Sequence, residues 1–183
     1  MILLVSAVRE ELGELRGEAL GIGTVLAGVR MARLLAERHP SGVIFTGTGG
    51  AYAGGPPIGV ACKVRRVGLL DSAAMMGLGY TPRPPPPIAC DPRLLAHVDL
   101  PEVDVLTVGA ITTDPTLARR LGDGWQVEHL EAYGVAAACA DANVPFAAVM
   151  GIANVVGPEA HAQWLTHRGQ AQTAARTALA SLN

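Results

Sequence analysis

Residues 126–164 read QVEHLEAYGVAAACADANVPFAAVMGIANVVGPEAHAQW. Glu131 opens an Ala-rich helix that we expect to end at Asn143, and the apolar run 146–150 that follows it predicts a buried strand. This run stops at a polar side chain, Asn154. The order of helix, strand and polar loop predicts that Glu131 and Asn154 meet at one edge of the sheet. Proteins of the α/β class bind ligands at this edge, where the strands end. Two polar groups directed into an otherwise apolar pocket predict a recognition site.

The composition suits a compact chain with little surface charge. Of the 183 residues, 50% are hydrophobic and 16% are charged. This length predicts a single domain, residues 1–183, with one substantial core. The low charge favours an oligomer that hides surface, although Ala and Gly richness from genomic bias explains it equally well. The net charge is -2 and like charges form no block, so we expect no nucleic-acid partner and no membrane partner.

The cysteines and the first residues indicate a cytoplasmic protein. The N-terminal segment MILLVSAVREE contains neither a basic leader nor an apolar stretch long enough to span a membrane. The five histidines are scattered and show no ligand spacing, so no metal site is predicted. Three cysteines without metal or redox spacing are expected to be core residues in a reducing compartment: Cys62, Cys90 and Cys139.

Strands alternate with helices along the whole chain. Continuous apolar runs predict strands that are buried on both faces. The predicted strands cover residues 2–5, 21–28, 43–46, 58–67, 103–108, 125–127 and 146–150. The predicted helices cover residues 9–16, 29–39, 92–97, 116–121, 131–143 and 158–183, and residues 69–88 are predicted to form a surface loop. The alternation predicts an α/β fold with three layers.

A glycine-rich segment follows the strand predicted at 43–46. Gly47, Thr48, Gly49 and Gly50 predict a turn whose backbone N–H groups are open to a ligand, because no Cβ stands in the way. The segment lacks the Lys-Ser or Lys-Thr pair of a P-loop. A plain tight turn is an equally good interpretation of the pattern alone.

Three segments resemble the nucleoside phosphorylase and nucleosidase superfamily. They are 2–11 (ILLVSAVREE), 43–50 (VIFTGTGG) and 127–156 (VEHLEAYGVAAACADANVPFAAVMGIANVV). Within that superfamily, the pattern is similar to methylthioadenosine/S-adenosylhomocysteine nucleosidases and, more closely, to the futalosine hydrolases of menaquinone biosynthesis. The resemblance implies a three-layer αβα sandwich around a mixed, twisted sheet, no cofactor, and a homo-oligomer of two or more copies. It also implies hydrolysis of the N-glycosidic bond of a purine nucleoside, with water as the nucleophile.

Glu11 matches the carboxylate that acts on the attacking water in nucleosidases of this group. Cleavage passes through an oxocarbenium-like state, which needs an oriented, partly deprotonated water and which a nearby carboxylate stabilises. Phosphorylases of the superfamily have basic residues here for phosphate, so Glu10 and Glu11 argue for water. The alternative is that these carboxylates only favour the dipole of the helix, which we take as the default for Glu10.

The pair Leu130-Glu131 matches a Met-Glu pair of the resembled enzymes. There the apolar residue touches the sugar or the base, and the two carboxylate oxygens accept hydrogen bonds from both ribose hydroxyls. An ordinary capping carboxylate is the alternative for Glu131. Glu128 and His129 are adjacent, and either of them could face the sugar. The resemblance implies four further substrate-binding positions: Thr48 and Gly49 beneath the sugar, and the backbone of Ile111 and Thr112 beside the purine.

Asn154 departs from the resembled adenine-specific nucleosidases, which carry Ser-Asp where this chain has Ala153-Asn154. An Asn amide has two N–H donors, and N7 and a 6-oxo group are both acceptors. We therefore expect a 6-oxopurine such as hypoxanthine, the base of futalosine. Asn cannot transfer a proton, so it would stabilise the leaving base by hydrogen bonding. For the protein, the alternatives are an adenine nucleosidase and a nucleoside binder without turnover. For Asn154, the alternative is an ordinary turn residue.

Overall fold

The computed structural model describes residues 1–180. These residues form eight strands: β1 (Ile2–Ser6), β2 (Glu18–Ala19), β3 (Gly42–Ala51), β4 (Ala61–Leu69), β5 (Ile88–Ala89), β6 (Glu102–Thr107), β7 (Val127–His129) and β8 (Phe146–Val155). They also form six α-helices: α1 (Arg9–Leu12), α2 (Thr24–Arg38), α3 (Ser72–Met75), α4 (Pro115–Leu121), α5 (Ala132–Asp141) and α6 (Ala160–Leu179). A single 3-10 turn covers Pro92–Leu95.

All eight strands belong to one mixed sheet. Strand β3 pairs in parallel with β1 and β8 and antiparallel with β7. Strand β4 pairs in parallel with β6 and antiparallel with β5 and β8, and β6 pairs in parallel with β7. The pairings β3–β8–β4–β6–β7–β3 therefore close a ring of five strands, and β1, β2 and β5 extend the sheet outside it.

The sheet is covered by helices on both faces. Because successive side chains of a strand point to opposite faces, Phe45 joins the core beneath α2 and α5, while its neighbour Ile44 joins a second core beneath α6. In β8, Met150 and Val149 divide in the same way. Helices α2 and α5 pack against each other on one face, and α6 packs along β8 on the other. The predicted α/β class with a central mixed sheet between helices is confirmed.

The strand predicted at 21–28 is wrong, because α2 already begins at Thr24. Gly23 adopts φ 93° immediately before it, a conformation open to glycine, and so ends the extended chain. From Ala27 onward the buried positions recur with helical spacing: Ala27, Met31, Leu34 and Leu35.

The turn predicted at Gly47–Gly50 is also wrong. Strand β3 continues through all four residues to Ala51, and their backbone pairs with β8. The glycines serve close packing: a Cβ on Gly50 would lie 2.6 Å from Nδ2 of Asn154. The Gly-rich run is therefore part of a strand, and side chains from neighbouring segments occupy the space that its own side chains would need.

Several boundaries also differ from the predicted ones. The helix predicted at 9–16 ends at Leu12, because Gly13 leaves helical geometry with φ 54°. The strand predicted at 125–127 is β7, two residues later, and the loop predicted at 69–88 contains α3. The helix predicted at 158–183 is α6, Ala160–Leu179, and residues 181–183 lie outside the described residues.

Residues 1–180 contain neither a helix suited to cross a membrane nor a side-chain cluster suited to hold a metal ion. None of the helices there combines the length and the apolar character needed to cross a bilayer. No group of three or more His, Cys, Asp or Glu side chains is arranged to hold a metal ion in that part of the chain. The three cysteines of this part are unpaired thiols, and Cys62 and Cys139 are buried.

The contact between β8 and α6 leaves no room for a side chain at Gly151. A Cβ there would lie 2.1 Å from the backbone oxygen of Ala171. We expect Gly151→Ala to lower the free energy of unfolding by about 3 kcal/mol or more, since backbone must move to relieve the overlap. Urea denaturation monitored by circular dichroism measures this change.

Gly169→Ala is the matched control. Gly169 lies inside α6 with open space around it. Alanine is expected to stabilise the protein there by about 0.5–1 kcal/mol, because Gly disfavours helix. Equal effects of the two substitutions would contradict the close packing of β8 against α6.

Candidate active site

A cavity of about 300 Å³ opens where β1, β3, β7 and β8 end, next to the first turns of α6. This volume is at the lower end of the range for small-molecule sites. Its lining is mostly apolar, and the polar side chains within it come from segments that are distant in the sequence. The lining residues are Ala7, Val8, Glu11, Ile22, Thr48, Gly49, Gly50, Ile111, Glu128, His129, Leu130, Glu131, Asn154, Ala160, His161 and Trp164.

Glu11 lines the cavity and is only 7% exposed. Its Oε1 accepts hydrogen bonds from the backbone N–H of Thr48 (2.9 Å) and from the Thr48 hydroxyl (3.2 Å). Its Oε2 accepts from the backbone N–H of Val8 (3.4 Å). The indole Nε1 of Trp164 donates to the same Thr48 hydroxyl at 3.0 Å, so that hydroxyl must direct its own proton to Glu11.

Burial raises the pKa of Glu11 to about 7. The hydrogen bonds from Thr48 and Val8 oppose this shift, and the nearby charge of Glu131 adds to it. A carboxyl group that titrates near neutrality is suited to accept a proton from a substrate at physiological pH. Glu11 therefore presents to the cavity a carboxyl group that exchanges its proton near neutral pH.

Glu131 lies at the junction of β7 and α5 and is 5% exposed. Its Oε1 accepts a hydrogen bond from the backbone N–H of Gly23 (2.8 Å), at the N-terminus of α2. The hydroxyl of Thr24 donates to the carbonyl of Leu130 and ties the same two segments together. These contacts fix the carboxylate against the cavity and leave lone pairs on both oxygens for a ligand.

The two neighbours of the Leu130-Glu131 pair differ in what they offer a ligand. Glu128 accepts from the Tyr52 hydroxyl (3.0 Å) through one oxygen and from the Thr112 backbone N–H (3.0 Å) through the other. His129 directs Nδ1 to the backbone N–H groups of residues 131 and 132 (3.1 and 3.3 Å). Glu128 is thus engaged within the protein at both oxygens, whereas Nε2 of His129 is not.

A β-bulge directs Asn154 into the cavity. The register of β3 and β8 skips Ala153, so that Gly49 pairs with Ile152 and Gly50 with Asn154. The extra residue changes which face the following side chain occupies. Asn154 is 8% exposed, and one of its amide N–H groups donates to the carbonyl of Val155 (3.2 Å). One N–H and the amide oxygen remain for a ligand.

The predicted site residues are distributed around this cavity with one exception. Seven of the eight line it: Glu11, Thr48, Gly49, Ile111, Leu130, Glu131 and Asn154. Thr112 is buried behind the lining, and its backbone N–H and carbonyl bond to Glu128 and to the N–H of Gly157. Its own backbone is therefore already occupied within the protein.

Further lining residues were not singled out from the sequence. Ile22 precedes α2, and His161 and Trp164 are one turn apart on α6, stacked at 6.2 Å between ring centroids. The i, i+3 spacing of the two rings marks a shared helix face, but only the packing of α6 turns that face to the cavity. Among residues 1–180, the lining contains three carboxylates and no Lys or Arg.

Solved structures that share this fold include several nucleosidases. The 5'-methylthioadenosine/S-adenosylhomocysteine nucleosidase of Neisseria meningitidis, solved with methylthio-immucillin-A, is 17% identical (TM-score 0.84; 99% of this chain, 97% of that chain). The corresponding enzyme of Colwellia psychrerythraea, solved with adenine, is 16% identical (TM-score 0.84; 97% and 92%). Futalosine hydrolase of Helicobacter pylori is 18% identical (TM-score 0.85; 99% and 96%).

No protein-family model matches the sequence, and no curated protein is significantly similar to it. At the identities of the solved structures, the likeness establishes the fold. The chain therefore shares the fold of these enzymes over nearly its whole length.

The raised pKa of Glu11 makes stability depend on pH. The folded protein holds this proton up to about pH 7, whereas the unfolded chain releases it near pH 4.5. The stability that this proton gives the folded state is therefore fully present below about pH 4.5 and is lost as the pH rises from there through 7. Gln stays neutral at both pH values. The difference in free energy of unfolding between Glu11→Gln and wild type should therefore be more favourable to the variant at pH 8 than at pH 4, by on the order of 2 kcal/mol.

Urea denaturation of both proteins at pH 4 and pH 8 measures this difference. The comparison between the two pH values removes any constant cost of the new amide. A difference between wild type and variant that is the same at both pH values would contradict a buried, neutral Glu11.

Proposed function

We propose that the chain is an N-glycosidase that hydrolyses a purine nucleoside in one domain, residues 1–183. The observation that carries the proposal is the convergence of Glu11, Glu131 and Asn154 on one cavity. The reaction needs a carboxylate that takes a proton from water, and Glu11 can supply it. It also needs hydrogen-bonding groups for the ribose diol and for the leaving base, which Glu131 and Asn154 can supply. Most of the remaining lining is apolar, as the faces of a sugar and a purine require.

In this reaction Glu11 accepts a proton from water as the water oxygen bonds to C1' of the sugar. The bond from C1' to the purine nitrogen breaks, and its electron pair leaves with the base. Glu131 accepts hydrogen bonds from the two ribose hydroxyls, while Asn154 donates to the leaving base, which finally takes a proton from solvent. The negative charge of Glu131, and that of Glu11 until it takes the proton, stabilise the oxocarbenium-like sugar.

The charge of the lining supports water, and not phosphate, as the nucleophile. A phosphate ion would need cationic side chains or several free N–H groups in a site that already holds Glu11, Glu128 and Glu131. The lining formed by residues 1–180 has neither Lys nor Arg. The N–H groups of Thr48 and Val8, which border the same space, are already donated to Glu11.

For the base we propose a 6-oxopurine, with futalosine as the specific nucleoside. An ionised carboxylate at this position would repel a 6-oxo group, because both are hydrogen-bond acceptors. Asn154 has an amide instead, and its free N–H can be shared between N7 and O6. A second candidate is an adenine nucleoside such as methylthioadenosine. It is favoured by the hydrogen bond from Asn154 to Val155 (3.2 Å), because the remaining N–H and amide oxygen match N7 and a 6-amino group.

The other lining residues support the same placement. Thr48 orients Glu11 through two hydrogen bonds, so the nucleophile lies beside β3 and Gly49. Leu130 and Ile111 supply apolar contact to the sugar and the base. The homo-oligomer and the cytoplasmic location expected from the sequence stay predictions, as does the contact of the Thr112 backbone with the purine.

Release of free base without phosphate tests the proposal. The protein is incubated with futalosine, inosine and methylthioadenosine, and chromatography measures hypoxanthine and adenine. We expect release from futalosine, and Glu11→Gln should lower turnover by about 10²-fold or more with little change in nucleoside binding. Release from methylthioadenosine alone would select the second candidate, and binding without release would leave a nucleoside-binding protein.

Asn154→Asp is expected to change the preferred base. An ionised Asp offers no N–H to N7 or O6, whereas a protonated one can donate to N7 and accept from a 6-amino group. The ratio of kcat/KM for futalosine over methylthioadenosine should fall by about tenfold or more. Asn143→Asp, an exposed turn position on the way from α5 to β8, is the control. An unchanged ratio in Asn154→Asp would remove Asn154 from base recognition.

A further inference from the structure

His129 is a buried ring whose orientation is fixed on two sides. It is 4% exposed and packs edge-on against Phe45, with 5.3 Å between ring centroids. Its Nδ1 accepts hydrogen bonds from the backbone N–H groups of Glu131 (3.1 Å) and Ala132 (3.3 Å) at the start of α5. A nitrogen that accepts two N–H groups carries no proton, so the proton of the neutral ring is on Nε2.

The ring is neutral although a carboxylate lies beside it. Burial lowers the pKa of His129, and this effect exceeds the opposite influence of Glu131. Oε2 of Glu131 is 3.2 Å from Nδ1, a distance that makes an ion pair only if the ring is charged. Because the two backbone N–H groups already point at Nδ1, a proton on that nitrogen would break both hydrogen bonds.

The Nε2 N–H of His129 and the carboxylate of Glu11 border the same small space. A Cβ on Gly47 would lie 2.9 Å from Nε2 and 3.3 Å from Oε1 of Glu11, so only a glycine leaves this space open. Both side chains line the cavity. Within residues 1–180 we find no acceptor for the Nε2 N–H. Because His129 lines the cavity, a molecule bound there can supply the acceptor.

We propose that the Nε2 N–H of His129 donates a hydrogen bond to the attacking water and is a further catalytic residue of the proposed reaction. One O–H of the water donates to Glu11, one lone pair accepts from His129, and the second lone pair is left to attack C1'. The donated hydrogen bond orients the water and makes its proton easier to remove.

The step balances without a proton moving on His129. The water oxygen forms the bond to C1', its proton goes to Glu11, and the electron pair of the broken bond leaves with the purine. His129 keeps its Nε2 proton throughout. The inference rests on the proposed hydrolysis, since it assigns the second contact of the same water.

Two amide substitutions separate the role of Nε2 from that of Nδ1. In His129→Asn the amide oxygen replaces Nδ1 as the acceptor for α5 but nothing replaces the Nε2 N–H. In His129→Gln the longer side chain carries an N–H to the position of Nε2 but loses the acceptor near Nδ1. Each variant therefore retains one of the two hydrogen-bonding functions of the imidazole ring.

We expect opposite orders for activity and stability. His129→Asn should lose about 10²-fold in kcat with KM changed by less than about threefold, whereas His129→Gln should stay within about tenfold of the wild-type kcat. Thermal unfolding should rank the two the other way, with His129→Gln the less stable because α5 loses its acceptor. Base release from the preferred nucleoside and calorimetry measure the two orders.

The outcomes separate this assignment from the proposed function. If the wild type releases base and His129→Asn is as active as wild type, or more active than His129→Gln, the role of Nε2 is overturned while the hydrolysis stands. An unchanged kcat with a raised KM in His129→Asn overturns it as well, since His129 would then bind nucleoside and not water. A wild type that releases base from none of the nucleosides overturns both.

Discussion

The parallel pairing of β3 with β8 is the constraint on which the rest of the structure depends. Nine register pairs run from Val43 with Phe146 to Ala51 with Val155, and both strands are buried on both faces. This ladder anchors the core beneath α2 and α5 and the second core beneath α6. At its far end it brings Thr48, Gly50 and Asn154 side by side. The single bulge at Ala153 is what turns Asn154 toward the cavity.

The cavity brings together three carboxyl groups that are largely shielded from solvent. Glu11, Glu128 and Glu131 are each less than 8% exposed, and each is held by N–H groups of the backbone. Backbone donors compensate for lost water without bringing a cation that would neutralise the site. For Glu11 this compensation is incomplete, which is why its pKa rises to about 7. The same incomplete solvation makes the carboxylate a stronger base.

Most of the fold could be predicted from the sequence because burial on both faces has a clear signature. The runs at Ile2–Ser6 and Phe146–Val155 are apolar without alternation, which is typical of strands inside an α/β sheet. An Asp-Pro pair is typical of a helix start, and in α4 Asp114 accepts a hydrogen bond from the N–H of Leu117 (2.7 Å). The run 21–28 misled because Gly and small apolar residues suit both a strand and the exposed first turn of a helix.

The sequence by itself determined the α/β class, the buried central strands and the carboxylates that follow them, because local periodicity and residue type report burial. Tertiary structure alone decided that Gly47–Gly50 is strand and not turn, because those glycines are required by side chains from β7 and β8 that approach across β3. It also decided that His129 accepts backbone N–H groups of α5 through Nδ1 while Glu128 bonds to Tyr52 and Thr112. Adjacent residues of similar polarity differ only in which face of the sheet they occupy. That face is set by pairing between strands that are far apart in the sequence, so the local sequence pattern does not reveal it.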